Sequence, residues 1–95
     1  MTTNEIKDIL ATKLQDEGTY FKKSHIKLKR NMNGYTIVID DYTHIPFKVV
    51  MTQEDDEYWT IVYAGSECIS FETSKYRYDE FSAILRIGYY AGTRF

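Results

Sequence analysis

The sequence predicts a two-layer α+β domain in which an antiparallel meander of about five strands is covered on one face by an N-terminal and a C-terminal helix. Apolar residues recur at spacings of three and four near both ends of the 95-residue chain. Between them, apolar and polar residues alternate in runs separated by short polar turns. Short connections favour antiparallel pairing of consecutive strands, so the predicted order is α-β-β-β-β-β-α within a single domain, residues 1–95.

The first helix is predicted to begin at Thr2, because Thr2 and Glu5 have the spacing of a capping box. Its apolar stripe consists of Ile6, Ile9, Leu10 and Leu14. Gly18 is suited to the left-handed conformation that ends many helices, so the helix is expected to end near Glu17.

Period-two alternation predicts strands that begin at His25 and cover residues 35–40, 47–52, 58–64 and 68–72. Asn33-Gly34 marks a hairpin between the first two strands, and residues 40–44 form a polar turn. The run from Tyr58 to Ala64 contains no charge, Pro or Gly, which indicates a central strand.

The second helix is predicted to be capped by Thr73 or Ser74, or to start only near Asp79. Its apolar face includes Phe81, Ile84 and Leu85. Gly88 indicates a close approach to the sheet or the start of fraying, and Gly92 is the expected end of this helix.

The composition fits an ordinary folded domain, with 43% hydrophobic and 27% charged residues. A formal charge of −2 argues against a generally basic nucleic-acid binder but leaves room for a local basic patch. A lone Cys68 cannot form an intramolecular disulfide, and no segment resembles a signal peptide or a membrane span, so a cytoplasmic location is expected.

The sheet face turned away from the helices is the first candidate binding surface. If each strand turns its bulkier set inward, this open face carries a strip of valines with Tyr58 and bordering lysines. An apolar centre with a polar rim is typical of protein interfaces, and homodimerisation would use the same features. The predicted partner-binding residues are Val38, Lys48, Val50, Tyr58, Thr60 and Val62.

An acidic turn is the second candidate surface. The residues Glu54, Asp55, Asp56 and Glu57 follow one another directly between two predicted strands. One interpretation is that these charges solvate the tip of a hairpin. The alternative is that they attract a basic surface on a nucleic-acid-binding protein.

Two basic segments form a candidate nucleic-acid patch, because cations beside aromatic rings combine phosphate attraction with base stacking. Its residues are Lys22, Lys23, Lys27, Lys29, Arg30, Tyr76 and Arg77. The alternative interpretation is that the lysines protect an edge strand from aggregation. The helix-sheet-helix order is similar to that of double-stranded-RNA-binding domains, but those have three strands and a lysine-rich second helix start that this chain lacks, so no family is assigned.

The residues that could serve catalysis are scattered. His25 and His44 are candidate acid-base groups and Cys68 is a candidate nucleophile, but none has a diagnostic neighbour. Asp40, Asp41 and His44 lack established metal-ligand spacing, so no metal, cofactor, small-molecule substrate or catalytic residue is predicted.

The leading functional prediction is a non-enzymatic interaction module that binds a partner protein through the open face or the acidic turn. Frequent Lys, Ile, Thr and Tyr suggest an AT-rich coding sequence, which favours a regulator or inhibitor encoded by a phage or other mobile element. A nucleic-acid-binding module is the alternative, and a small RNA-cleaving enzyme is the third hypothesis.

Overall fold

The structure is a computed structural model that describes residues 1–54, 58–64, 68–74 and 79–94. Its elements are α1 (Thr3–Asp16), a short 3-10 turn (Lys23–His25), β1 (Ile26–Asn31), β2 (Gly34–Ile39), β3 (Phe47–Glu54), β4 (Tyr58–Ala64), β5 (Cys68–Ser74) and α2 (Glu80–Arg94). The strands form one sheet in the order β1-β2-β3-β4-β5, and every neighbouring pair is antiparallel. The predicted α+β class, the antiparallel sheet and the order of helices and strands are confirmed.

Both ends of α1 form as the sequence predicts. The Thr2 hydroxyl accepts a hydrogen bond from the Glu5 N–H at 3.1 Å, and the Glu5 carboxylate accepts one from the Thr2 N–H at 3.2 Å. This reciprocal pair satisfies two N–H groups that have no partner within the helix. At the other end Glu17 is the C-cap, and Gly18 has a φ of 91°, which a residue with a Cβ adopts only at a cost.

The start and end of α2 differ from part of the prediction. Thr73 and Ser74 pair with Trp59 and Tyr58 in the β4–β5 ladder, so the sheet uses their backbone and neither caps the helix. Asp79 caps it instead, because its carboxylate accepts the Ser82 N–H at 2.8 Å.

Gly92 does not end the second helix, which continues to Arg94. A Cβ at Gly92 would lie 2.6 Å from the Glu17 Cβ, so this glycine permits close packing of α2 on α1. Gly88 has the same role against Lys13, and the close approach is therefore to α1 rather than to the sheet. Gly88 lies against Lys13, and Gly92, one turn later, lies against Glu17, one turn after Lys13. The two helices therefore run parallel to each other.

The β1–β2 hairpin has Met32 and Asn33 as its two loop residues, because Asn31 already pairs with Gly34. Gly34 is also paired with Thr52 in β3. A Cβ at this position would collide with the carbonyl oxygen of Met51, so the glycine is required by the close approach of two strands.

Burial alternates along β2: Tyr35, Ile37 and Ile39 are buried, whereas Thr36 and Val38 are half-buried. Both helices therefore cover one face of the sheet, as predicted. The described core is one cluster: Ile6, Leu10, Ala11, Leu14, Phe21, Ile26, Tyr35, Ile37, Ile39, Phe47, Val49, Met51, Trp59, Ile61, Tyr63, Ala83, Ile84, Ile87 and Ala91.

Candidate functional site

The sheet face opposite the helices is the surface that we call the open face. Its described side chains are Lys27, Lys29, Asn31, Thr36, Val38, Lys48, Val50, Thr52, Thr60 and Val62. They occupy the strand positions that alternate with the buried core residues. All five strands contribute positions to this face, and the side chains of β5 are not described.

Strand register brings the apolar residues of the open face together. Val50 of β3 lies opposite Thr36 of β2 on one side and opposite Val62 of β4 on the other. Val38 lies in the adjacent cross-strand row and is a diagonal neighbour of Val50. All three valines are half-buried, so the centre of the face still presents apolar surface to solvent.

Three exposed lysines border this valine strip. Lys27 and Lys48 flank Val38 in one cross-strand row, and Lys29 lies opposite Thr36 in the next row. Lysines are the charged side chains described on this face, whereas Glu54 and Glu72 occupy open-face positions of the strand register and their side chains are not described. Positive charge beside an apolar centre favours an anionic partner surface.

The size of the face is suitable for a protein contact. Five strands at a spacing of about 4.8 Å are about 24 Å wide, and six residues along a strand extend about 20 Å. The resulting flat area of about 480 Å² is more than half of the roughly 800 Å² that one partner contributes to a standard interface.

The open face contains most of the predicted partner-binding residues. Val38, Lys48, Val50, Thr60 and Val62 share it as the alternation predicted. Tyr58 lies in β4 opposite Glu54, but its side chain lies outside the described part of the structure.

Tyr42 is a residue at the border of the open face that the sequence analysis missed. The Lys27 Nζ lies 6.0 Å from the centroid of the Tyr42 ring, within the range of a cation–π contact. Tyr42 follows β2 in the loop of residues 40–46, which the sequence identified only as a polar turn. The position of its ring depends on backbone dihedral angles that the alternation does not predict.

The loop of residues 40–46 is held by two aspartates. The Asp40 carboxylate accepts the Tyr42 N–H at 2.8 Å, and the Asp41 carboxylate accepts the N–H groups of Thr43 and His44 at 3.0 and 2.9 Å. The His44 Nδ1 is 2.7 Å from a carboxylate oxygen of Asp41. The hydrogen bond from Thr43, together with those from His44, holds the pKa of the Asp41 carboxyl well below its usual range.

The structure divides the predicted basic patch. Lys27 and Lys29 belong to the open face, whereas Lys23 forms an ion pair with Asp8 of α1 at 3.0 Å. Arg30 lies on the helix side of the sheet, where its guanidinium donates to the Met1 carbonyl and lies 5.4 Å from the centroid of the Tyr35 ring.

The three remaining residues of the predicted basic patch are Lys22, Tyr76 and Arg77. Lys22 is exposed at the start of the 3-10 turn. Tyr76 and Arg77 lie outside the described residues. Strand alternation places Arg30 on the face opposite Lys29, so these two described residues do not share a surface, and nucleic-acid binding by this patch stays a prediction.

The two histidines occupy separate local environments. The His25 Nδ1 accepts the Lys22 N–H at 3.0 Å, and the His25 ring is edge-on to Phe21. His44 is held by Asp41. Cys68 is the first residue of β5, opposite Ala64, and its side chain is not described.

The described ranges contain no group of three or more His, Cys, Asp or Glu side chains placed to hold a metal ion. Asp40, Asp41 and His44 instead participate in the hydrogen bonds that shape their turn.

The predicted acidic turn falls mainly on residues 55–57, outside the described part of the chain. Glu54 is the last residue of β3, and only its backbone is described. A binding role for this turn stays a prediction.

Comparison with known proteins assigns no relatives: no family model, no curated protein and no solved structure matches the chain. Neither of the two described helices is long and apolar enough to cross a lipid bilayer.

Proposed function

We propose that this protein is a small non-enzymatic interaction module whose open face binds an acidic surface of a partner protein. The arrangement of Val38, Val50 and Val62 beside three exposed lysines supports this proposal. A partner would remove the remaining valine surface from water, which is favourable by about 25 cal/mol per Å². The lysines would direct association toward carboxylates and reject a basic surface.

A wider role as a regulator or inhibitor encoded by a phage or mobile element is part of the same proposal. Residue usage that suggests an AT-rich coding sequence supports it. In that role, the module changes the activity of its target by occupying a surface on it.

The test begins with affinity purification of the tagged chain from its native cell, with and without nuclease. A protein that stays bound after nuclease is purified, and its affinity is measured for wild type and for Val50→Glu. We expect the substitution to weaken binding by about thirtyfold or more, because it places a charge at the centre of the apolar strip. The melting temperature should stay unchanged, since Val50 does not belong to the core cluster.

Two matched controls separate the open face from general effects of charge. Phe81→Glu introduces the same charge at a position of α2 that is 48% exposed, and it should leave affinity unchanged. Lys48→Glu should reduce affinity about tenfold and make it less sensitive to salt, whereas Lys7→Glu on α1 should have little effect. Equal binding by wild type and Val50→Glu contradicts the proposal.

Nucleic-acid binding is the competing outcome. Single-stranded and duplex probes are titrated by fluorescence anisotropy at low and at physiological salt. Binding that falls steeply with salt and is lost with Lys27→Glu and Lys48→Glu would replace the proposed protein partner by a nucleic acid. Self-association that Val50→Glu abolishes in sedimentation would instead identify a second copy of this chain as the occupant of the face.

A further inference from the structure

Tyr42 has a backbone conformation that a bulky residue rarely adopts. Its φ is 66°, in the left-handed region, and it is the only non-glycine residue with positive φ in the described part of the chain. The left-handed conformation brings the Cβ too close to the neighbouring carbonyl oxygen, so Asn, Asp or Gly normally occupies such a position. A tyrosine here therefore destabilises the free protein.

Packing of the Tyr42 side chain does little to offset this backbone strain. The Tyr42 side chain is 68% exposed and does not belong to the core cluster. Its ring contacts are with Lys27, 6.0 Å away, and with His25, whose centroid is 6.4 Å from the Tyr42 centroid. Strain of this kind is found where the surrounding structure imposes it, often at sites that bind other molecules.

The surrounding loop holds Tyr42 before any partner is present. The backbone N–H of Tyr42 is bound by the Asp40 carboxylate, and the next two N–H groups are bound by Asp41. A loop backbone held in advance loses less conformational entropy on binding, which raises affinity. Ile45, in the same loop, is 67% exposed and adds apolar surface.

We propose that Tyr42 is the anchor residue of the open-face site, where its ring enters an apolar pocket on the partner protein that carries a carboxylate on the side facing Lys27. This inference rests on the proposed function. The contact with Lys27 makes the loop continuous with the open face and places a cation on one side of the ring, which suits a partner carboxylate on that side, while the Asp40 and Asp41 carboxylates are bound by N–H groups of the loop itself. Tyrosine combines a large apolar area with a polar tip and few rotatable bonds, so it is common among residues that dominate interfaces.

The first test uses the free protein. Tyr42→Asn removes the ring but tolerates the left-handed backbone, so the melting temperature should stay the same or rise by about 4 °C. Tyr42→Phe keeps both the ring and the strain and should melt at the wild-type temperature. A clear fall in the melting temperature of Tyr42→Asn would assign the ring a structural role and overturn the proposal.

The second test identifies what Tyr42 contacts. The photo-crosslinker p-benzoylphenylalanine is placed at position 42 in one variant and at position 89, on α2, in a second. Position 42 should crosslink one protein in the native cell, and that protein is purified as the probe for binding measurements. The absence of a protein crosslinked from position 42 would overturn the inference.

The third test measures affinity for that purified probe. We expect Tyr42→Asn to weaken binding by about thirtyfold and Tyr42→Phe to keep it within about threefold. The control Tyr89→Asn removes a ring that is 47% exposed on the helix side and should leave affinity unchanged.

The two proposals fail in different ways. If Val50→Glu leaves affinity for the purified probe unchanged, the open face is not the binding site and the proposed function is overturned. If Val50→Glu abolishes binding but Tyr42→Asn does not, the open face stands and the assignment of Tyr42 as its anchor is overturned.

Discussion

Gly88 of α2 lies directly against the side chain of Lys13 in α1. A Cβ at residue 88 would be 2.7 Å from the Lys13 Cγ and 2.9 Å from its Cβ, closer than carbon atoms approach without displacement. One turn further, Gly92 has the same relationship with Glu17. Lys13 and Glu17 are joined by an ion pair of 2.9 Å, so two glycines on one helix accommodate the stems of a charged pair on the other.

We expect Gly88→Ala to lower the free energy of unfolding by about 1–2 kcal/mol. Overpacking of a close contact costs about 1–3 kcal/mol, and replacing Gly by Ala in a helix returns up to about 1 kcal/mol. Urea denaturation followed by circular dichroism measures the difference. Lys13→Ala removes the Cγ, so the double variant should lose less stability than the sum of the two single variants; simple additivity would contradict the proposed contact.

Tyr35 should stabilise the fold through its hydroxyl. The Tyr35 side chain is buried in the core, and its Oη donates a hydrogen bond of 2.6 Å to the Glu80 carboxylate at the start of α2. Tyr35→Phe removes the donor, so we expect a loss of about 1–2 kcal/mol in urea denaturation at pH 7. Tyr89→Phe removes an exposed hydroxyl and should change stability little; a similar loss in both variants would contradict a specific role of the Tyr35–Glu80 bond.

The same tyrosine predicts a loss of stability at alkaline pH. Burial raises the pKa of the Tyr35 phenol, and the hydrogen bond to Glu80 and the charge of Glu80 raise it further. Since the folded pKa lies above the unfolded value of about 10, this contribution is fully present below pH 10 and is lost as the pH rises above it. Denaturation midpoints between pH 8 and 11 should fall less steeply for Tyr35→Phe than for wild type; parallel curves would contradict this assignment.

Asp41 predicts the opposite dependence at acidic pH. Its folded pKa is depressed by the hydrogen bonds from Thr43 and His44, so its stabilising contribution is present above the unfolded value of about 4 and is lost as the pH falls through the folded pKa. Asp41→Asn should be less stable than wild type at pH 6 and should lose less stability between pH 4 and 2. Melting temperatures across this range measure both effects, and an unchanged acid profile in the variant would exclude Asp41 as the group responsible.

Local patterns in the sequence predict much of this fold because their causes are local. The capping box of Thr2 and Glu5 and the left-handed Gly18 involve neighbours in the chain, and both form as expected. Period-two alternation places Val38, Val50 and Val62 on the face opposite the helices, since one residue of shift would reverse every side chain. The apolar part of the candidate site was therefore predictable.

Contacts between distant residues could not be predicted from these patterns. Lys23 is paired with Asp8, and Arg30 reaches Met1, so a basic run that is continuous in sequence is divided in space. Gly92 lies inside its helix, where it permits the close approach of Glu17, although glycine commonly marks a helix end.

The sequence by itself determined the α+β class, the order of helices and strands, and which side of the sheet is left without a helix, because residue periodicity specifies which face of each element is apolar. Only the tertiary structure decided how the two helices meet at Gly88 and Gly92, which strand register places Lys27 and Lys48 on either side of Val38, and how Tyr42 is held beside them. Those arrangements depend on the distances between segments that are far apart in the chain, and no local pattern encodes such distances.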